Sequence, residues 1–358
     1  MEYDNTIDDI LEPIFAEKSV SIVLMSSNYY VPYLTATIKS IIDNNDSEKN
    51  YDIVVLQNEI SLEYQNVILD FFYNINNVKI RFYNPEGLLK KTKLYISSRN
   101  YAREAYYRLL VPWILKGYDK TLVIDCDVVI NEDVSLLYNT DINNYFVAGV
   151  KDIVFEGILE IEYDAYKYSK DILNLKEAKN YINTGVILLN LEKIRECFTI
   201  EYIINFAESN KFRFQEQDII NSLFSQNILY LSMEWNCYVK LSRDIIMCID
   251  ASSEISKNIY NNINDNAKIY HFAGTPKPWE DPEIDKSYMF WRLVKDIPFY
   301  EKIIARMVKY NANYKHNQTS MNRFFPFGTK RRMLIDKILK KGSKRRKIIK
   351  KIVDIILK

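Results

Sequence analysis

Leu122-Val123-Ile124-Asp125-Cys126-Asp127-Val128-Val129-Ile130 sets two carboxylates into an apolar, mostly β-branched run. Such a run reads as a buried strand, and the i, i+2 spacing of Asp125 and Asp127 turns both to one side when the backbone is extended. In an open α/β sheet, ligands sit beyond the carboxyl ends of the strands. Paired Asp there would hold a divalent cation, and the cation would neutralise a diphosphate. The plainer reading is that the two Asp cap a turn. Against it, a carboxylate at the edge of a buried strand is costly unless something pairs with it.

On both sides of this segment, short β-branched runs alternate with longer amphipathic ones from Val20 onward, the pattern of an α/β fold with a largely parallel sheet. Strands are expected at 21–25, 51–56, 78–83, 121–125, 145–150, 185–189, 228–231 and 268–272. Leu34, Ile38 and Ile41 share one helix face, and Ser61 is a candidate N-cap for a helix carrying Tyr64, Ile68 and Phe72. Further helices are expected over 98–116, 192–209 and 218–225. No G-x-G-x-x-G or Walker-type glycine loop occurs, so a nucleotide's phosphates would have to be held another way.

A length of 358 residues with 48% hydrophobic and 27% charged residues excludes a disordered chain, a collagen and a small disulfide scaffold. The cysteines at 126, 197, 237 and 248 form no C-x-x-C pair and read as reduced, mostly buried thiols of a cytosolic protein. The start, Met1-Glu2-Tyr3-Asp4, lacks the basic residues of a signal peptide, and no run of about 18 apolar residues occurs. The expectation is a protein neither exported by a recognisable signal nor threaded through a membrane.

Three further segments combine polar chemistry with a strand or helix end. Ile269-Tyr270-His271-Phe272-Ala273-Gly274-Thr275-Pro276-Lys277-Pro278-Trp279 brings together an imidazole, a flexible Gly and a cation. Two carboxylates and one imidazole suit manganese, although a single His after an apolar pair is often structural. Lys277 could reach a phosphate as a point charge. Tyr181-Ile182-Asn183-Thr184-Gly185-Val186 reads alone as a tight turn, and Phe214-Gln215-Glu216-Gln217-Asp218 as a helix cap.

Taken in order and with their spacing, these four segments resemble glycosyltransferase family 8, the retaining UDP-sugar transferases that include bacterial lipopolysaccharide glucosyl- and galactosyltransferases. The resemblance covers roughly 20–279, with Tyr106-Tyr107-Arg108-Leu109 and Trp291 also in its pattern. It implies the GT-A fold, a single Rossmann-like nucleotide-sugar domain. It further implies Asp125, Asp127 and His271 as ligands of Mn²⁺, with Mg²⁺ as the alternative. Gly274 and Lys277 would contact the diphosphate, and Arg108 the donor near Asp125, with Cys126 and Thr184 in the donor site. Asp152, Asn183 and Glu216 would hydrogen-bond the donor sugar, Gln217 would lie beneath the anomeric carbon, and Ser27 and Tyr30 would lie at the uridine. The pattern departs from many relatives at Ser27, where they carry Asp, and from galactosyl members at Glu216, where they carry Asp.

The implied activity is transfer of glucose or galactose from a UDP-hexose to a glycan or glycolipid acceptor such as lipopolysaccharide or capsule. With Gln217 rather than a carboxylate under the anomeric carbon, front-face substitution is favoured over double displacement through Glu216. The alternatives are a metal-dependent nucleotidyltransferase and a non-catalytic sugar-nucleotide or glycan-binding protein on the same fold.

The formal net charge of +1 conceals a division. Residues 330–358 carry 13 Lys or Arg against 2 Asp, which leaves 35 basic and 45 acidic residues in 1–329. Leu334, Ile338 and Leu339, then Ile348, Ile349, Ile352, Val353, Ile356 and Leu357, are spaced as helical apolar stripes. A basic amphipathic tail reads as an element for an anionic membrane surface, and the lack of interleaved aromatics argues against nucleic acid. The expected organisation is an N-terminal arm (1–19), a catalytic domain (20–285), a helical extension (286–329) and the basic tail (330–358). The whole would lie in the cytoplasm, peripherally bound to the inner face of the membrane.

Overall fold

The computed structural model describes residues 11–17, 19–90, 92–96, 103–314 and 329–339, with 343, 345, 346 and 349. Its centre is a seven-stranded sheet in the order β3-β2-β1-β4-β7-β6-β8. The strands are β1 (Ser19–Met25), β2 (Asn50–Leu56), β3 (Val78–Tyr83), β4 (Lys120–Ile124), β6 (Val147–Lys151), β7 (Ile182–Asn190) and β8 (Ile228–Tyr230). Four neighbouring pairs are parallel, and β7 runs antiparallel to both β4 and β6. The largely parallel α/β architecture expected from the alternation of runs is therefore present.

Alternation along each strand explains why both faces are covered. Ile22, Leu24, Ile53, Val55, Leu122 and Ile124 join one apolar cluster, while Val23, Val54, Leu56 and Val123 join another. Successive side chains point to opposite faces, so a strand apolar at every position needs a layer on each side. One layer includes α1 (Val31–Asp43), which has Pro32 in its first turn, where a missing N–H costs nothing. The other includes residues 103–114. α2 (Leu62–Phe71) starts at the expected cap, with Ser61 Oγ accepting from the Tyr64 N–H.

A second sheet, not anticipated from the sequence, has three strands in the order β5-β10-β9: β5 (Val128–Ile130), β10 (Ile269–His271) and β9 (Cys237–Tyr238). β10 is antiparallel to β5 and parallel to β9. The strand expected at 268–272 thus exists but belongs to this small sheet. Asp125-Cys126-Asp127 is the hand-off between the sheets, a turn from β4 into β5 rather than extended chain.

Three other expectations are corrected. The helix foreseen over 98–116 is, in its described part, a 3-10 segment Arg103–Leu110 followed by one helical turn at Val111–Ile114. Pro112 explains the change: it has no N–H to donate back to the preceding turn, so it fits the first turn of a new helix but not the interior of a continuous one. The helix foreseen over 192–209 is two, α4 (Leu191–Cys197) and α5 (Ile200–Ser209). Thr199 is extended and caps the second by accepting from the Tyr202 N–H. Asn183-Thr184-Gly185, read as a turn, lies inside β7, which is buried along its whole length.

α3 (Ile153–Ile161) begins at Asp152, α6 (Glu216–Phe224) follows Gln215, and α7 (Arg243–Ala251) lies against α3. α8 (Ser287–Val294) and α9 (Tyr300–Tyr314) pack on α1. Trp291 Nε1 donates to the Pro278 carbonyl at 3.0 Å, and Arg306 to the Tyr29 carbonyl at 2.6 Å. Of the tail, a helix is described at Lys330–Ile338. Most of the second apolar stripe expected there lies outside the described residues.

Candidate active site

The strand order reverses at β1, which has β2 on one side and β4 on the other, so the crevice beyond the carboxyl ends of β1 and β4 is the switch point at which open α/β sheets bind ligands. Leu24 of β1 is level with Ile124 of β4. The residues leaving these two ends are Ser27 and Tyr30 on one side, Asp125 and Asp127 on the other. Tyr30 is half-buried, with its ring edge-on to Trp279 at 6.0 Å between centroids.

Pairing of β10 with β5 sets His271 opposite Val128, directly after Asp127. The Phe272 N–H donates to the Asp127 carbonyl at 2.9 Å and fixes this register. His271 Nε2 then stands 3.2 Å from Asp127 Oδ1 and 3.9 Å from Asp125 Oδ2. One ligand atom from each of the three residues lies within 4.8 Å of the others, and no second such cluster occurs among the described residues. Two carboxylates and an imidazole that converge so closely suit a divalent cation of the manganese or zinc type.

Cations of the chain itself also gather here. Lys277 Nζ binds Asp127 Oδ2 and donates to the Phe272 carbonyl at 2.7 Å. Burial works to raise the Asp127 carboxyl, but Lys277 and His271 outweigh it and hold the group well below the usual carboxylate range. Asp127 is therefore an anion at any physiological pH. Arg108, almost fully buried, binds Asp125 Oδ1, Glu216 Oε1 at 2.6 Å and Thr184 Oγ1 at 3.1 Å. Among the described residues, its Nε and Glu216 Oε2 have no hydrogen-bond partner. Burial pushes the Glu216 carboxyl up to about 7, opposed by Arg108 and assisted by Asp125. Cys126 turns into the core, donating to the Met25 carbonyl at 3.1 Å, and burial raises its thiol well above the ordinary value.

A second group of polar side chains adjoins the triad. Asp152 caps α3 by accepting from the Phe155 N–H at 2.8 Å. Its other oxygen accepts from Gln217 Nε2 at 3.2 Å, Asn183 Nδ2 at 3.3 Å and the Tyr238 hydroxyl at 3.0 Å. Gln217 Oε1 accepts from the Thr184 N–H at 3.1 Å and from Asn183 Nδ2 at 3.1 Å. Burial raises the Asp152 carboxyl in spite of these donors. Asp152, Asn183, Thr184 and Gln217, named from separate segments of sequence, thus form one network.

Gly185 lets the two groups meet. A Cβ there would stand 2.2 Å from His271 Cε1, so only glycine allows β7 to pass the imidazole. Gly274 follows His271 in a left-handed conformation (φ +120°) that glycine adopts without strain.

Two residues of this site escape the sequence reading. Asn236 and Tyr238 flank Cys237 on β9 and reach the His271 and Asp152 groups respectively. The signal was their i, i+2 spacing, but the strand is two residues long. Asp218 sits outside the site as a structural acceptor, taking hydrogen bonds from the Phe214 N–H and from the Tyr168 and Tyr181 hydroxyls.

The family model of Glycosyl transferase family 8 matches residues 21–283. A putative glycosyltransferase of Haemophilus influenzae is 28% identical over 73% of this chain and 73% of its own. A lipopolysaccharide 1,2-glucosyltransferase of Escherichia coli K12 is 23% identical over 80% of this chain and 82% of its own. The solved apo structure of WbbM, a bifunctional glycosyltransferase, superposes with a TM-score of 0.76 at 27% identity, covering 84% of this chain and 53% of that one. The present chain thus spans about half of WbbM, and the fold is the GT-A type of glycosyltransferase structures.

Proposed function

The chain belongs to glycosyltransferase family 8 and is a glycosyltransferase, and from that premise we propose that it moves glucose or galactose from a UDP-hexose to a cell-surface glycan, retaining the anomeric configuration. The observation that carries this reading is the convergence of Asp125, Asp127 and His271 within 4.8 Å at the switch-point crevice. These residues would hold the divalent cation, manganese by preference. When bound, that ion supplies Lewis-acid stabilisation of a departing diphosphate.

The chain's own residues would do the rest. Ser27 and Tyr30 flank the uridine position after β1. Lys277, and the backbone at Gly274, add positive charge and donors for the diphosphate. Asp152 and Asn183 accept and donate to sugar hydroxyls from a network that already fixes their orientation. Arg108 acts from behind, aligning Asp125 and Glu216.

The Gln217 amide is a poor nucleophile, and its oxygen already accepts from the Thr184 N–H. Glu216, held partly neutral by burial near pH 7 and tied to Arg108, is a weak one. Both features support front-face substitution, with Gln217 stabilising positive charge at the anomeric carbon. A glycosyl adduct found on Glu216 by mass spectrometry would overturn that mechanism.

The Escherichia coli relative's name supports a lipopolysaccharide-type acceptor and glucose as donor sugar. No described helix is long and apolar enough to cross a membrane. The basic tail supports peripheral attachment at the inner face, with 20–285 as the catalytic domain and 286–329 as an extension on it. The test is UDP release from UDP-glucose and UDP-galactose with and without Mn²⁺. Release should require the metal and be lost in Asp127→Asn; release that survives in that variant would defeat the reading.

A further inference from the structure

The metal reading leaves open what decides that His271 offers a lone pair, rather than an N–H, to Asp125 and Asp127. The hydrogen bonds behind the ring answer this from a fixed starting point. The Gly185 backbone N–H can only donate, and it donates to Asn183 Oδ1 at 2.9 Å. That identifies the oxygen of Asn183 and sends its amide nitrogen to the Tyr238 hydroxyl at 2.8 Å and to Gln217 Oε1. The atom of Asn236 that faces Asn183 Oδ1 at 2.8 Å must then be its amide nitrogen. The opposite atom of Asn236 is its carbonyl oxygen, 2.9 Å from His271 Nδ1. An oxygen there can only accept, so Nδ1 carries the proton, and in the neutral ring Nε2 is bare toward the two carboxylates.

We propose that Asn236 is a positioning residue: it fixes the His271 tautomer and ring orientation that a divalent cation requires, and it ties the metal ligands to the sugar-facing Asn183. Ligating imidazoles are generally held through their second nitrogen in this manner. Asn236 is fully buried and enters at the start of β9, whose pairing with β10 sets Tyr238 beside His271. This short strand and the residue just before it therefore supply both supports, Asn236 to the candidate metal ligand and Tyr238 to Asp152.

The inference rests on the metal reading above, so the test separates the two. The full chain has two histidines, His271 and His316, and two-bond ¹H–¹⁵N spectra of the metal-free protein report the tautomer of each. Mn²⁺ binding is read separately from the electron paramagnetic resonance signal of the free ion. Thermal melting of every variant confirms folding.

In Asn236→Ala, the His271 tautomers should become mixed and Mn²⁺ should bind about 10- to 100-fold more weakly. Asn236→Asp keeps the acceptor for Nδ1–H but loses the donor to Asn183, so it should retain the tautomer and restore most of the affinity. Unchanged tautomer or unchanged affinity in Asn236→Ala, with Asp127→Asn losing Mn²⁺, overturns the role of Asn236 alone. Absence of Mn²⁺ binding by the unsubstituted chain overturns the metal reading, and this inference with it.

Discussion

Replacing Gly185 by Ala adds one methyl group where β7 passes His271. The new Cβ would stand 2.2 Å from His271 Cε1, 2.8 Å from Nδ1 and 3.0 Å from Asn183 Oδ1. The first contact is about 1.2 Å short of ordinary van der Waals separation. Neither side can yield easily. The Gly185 carbonyl accepts from the Asp125 N–H at 2.8 Å, while the imidazole is tethered through Nδ1 and its strand is paired on both sides. Overpacking of this kind costs about 2–3 kcal/mol, a fall of roughly 3–4 °C in melting temperature for a chain of 358 residues. The ring must tip, and moving it by even half of that shortfall takes Nε2 out of ligand range, so Mn²⁺ affinity should fall about 10- to 100-fold. Gly149→Ala is the matched control, since its Cβ would meet the flexible Ile182 Cδ1 at 2.7 Å. Thermal melts with Mn²⁺ titration of both variants decide the matter. Wild-type Mn²⁺ affinity in folded Gly185→Ala would refute the claim that glycine at this position holds the imidazole in place.

Glu216 predicts a pH effect on the metal-free protein. Its folded carboxyl titrates at about 7 against an ordinary 4.5, so between those values the folded state binds more protons and stability falls as pH rises, by up to about 3 kcal/mol. Urea melts from pH 5 to 8 should show that slope flattened in Glu216→Gln; parallel curves would contradict it. Gly157→Ala tests the fold apart from the site, because its Cβ would sit 1.8 Å from the Cys248 carbonyl oxygen and force α3 off α7. A loss of about 3 kcal/mol or more is expected by calorimetry, with Mn²⁺ affinity unchanged below the melt. For the tail, ending the chain at Gly328 should abolish flotation with anionic liposomes while leaving binding of UDP intact; flotation that persists would remove the membrane role.

The elements that sequence revealed are those whose signal is local. Seven apolar strands and the Ser61 cap are readable because alternation and a hydroxyl before a helix act within a few residues. The 3-10 segment at 103–110 keeps helical spacing of its apolar residues, so periodicity alone overextended it. Pro112 was the overlooked sign. Thr199 was a similar sign within 192–209, since a β-branched N-cap candidate inside a presumed helix marks a restart.

The site divides along the same physical line. Asp125 and Asp127 declare themselves because two charges in an apolar run conflict with burial, and His271 because an imidazole ends a strand beside Gly and Lys. Asp127 and His271 nevertheless meet across 144 positions of chain, through a small sheet whose strands have two or three residues. Strands so short have no period to detect, which is why Asn236 and Tyr238 went unread although they supply the supports for His271 and Asp152. Where the chain leaves the large sheet for the small one, the two carboxylates come from the hand-off between the sheets, while the imidazole and the groups that aim it come from the small one. A search for such supports in related sequences should therefore begin at the strand paired with the candidate metal-ligating histidine, not at the paired aspartates.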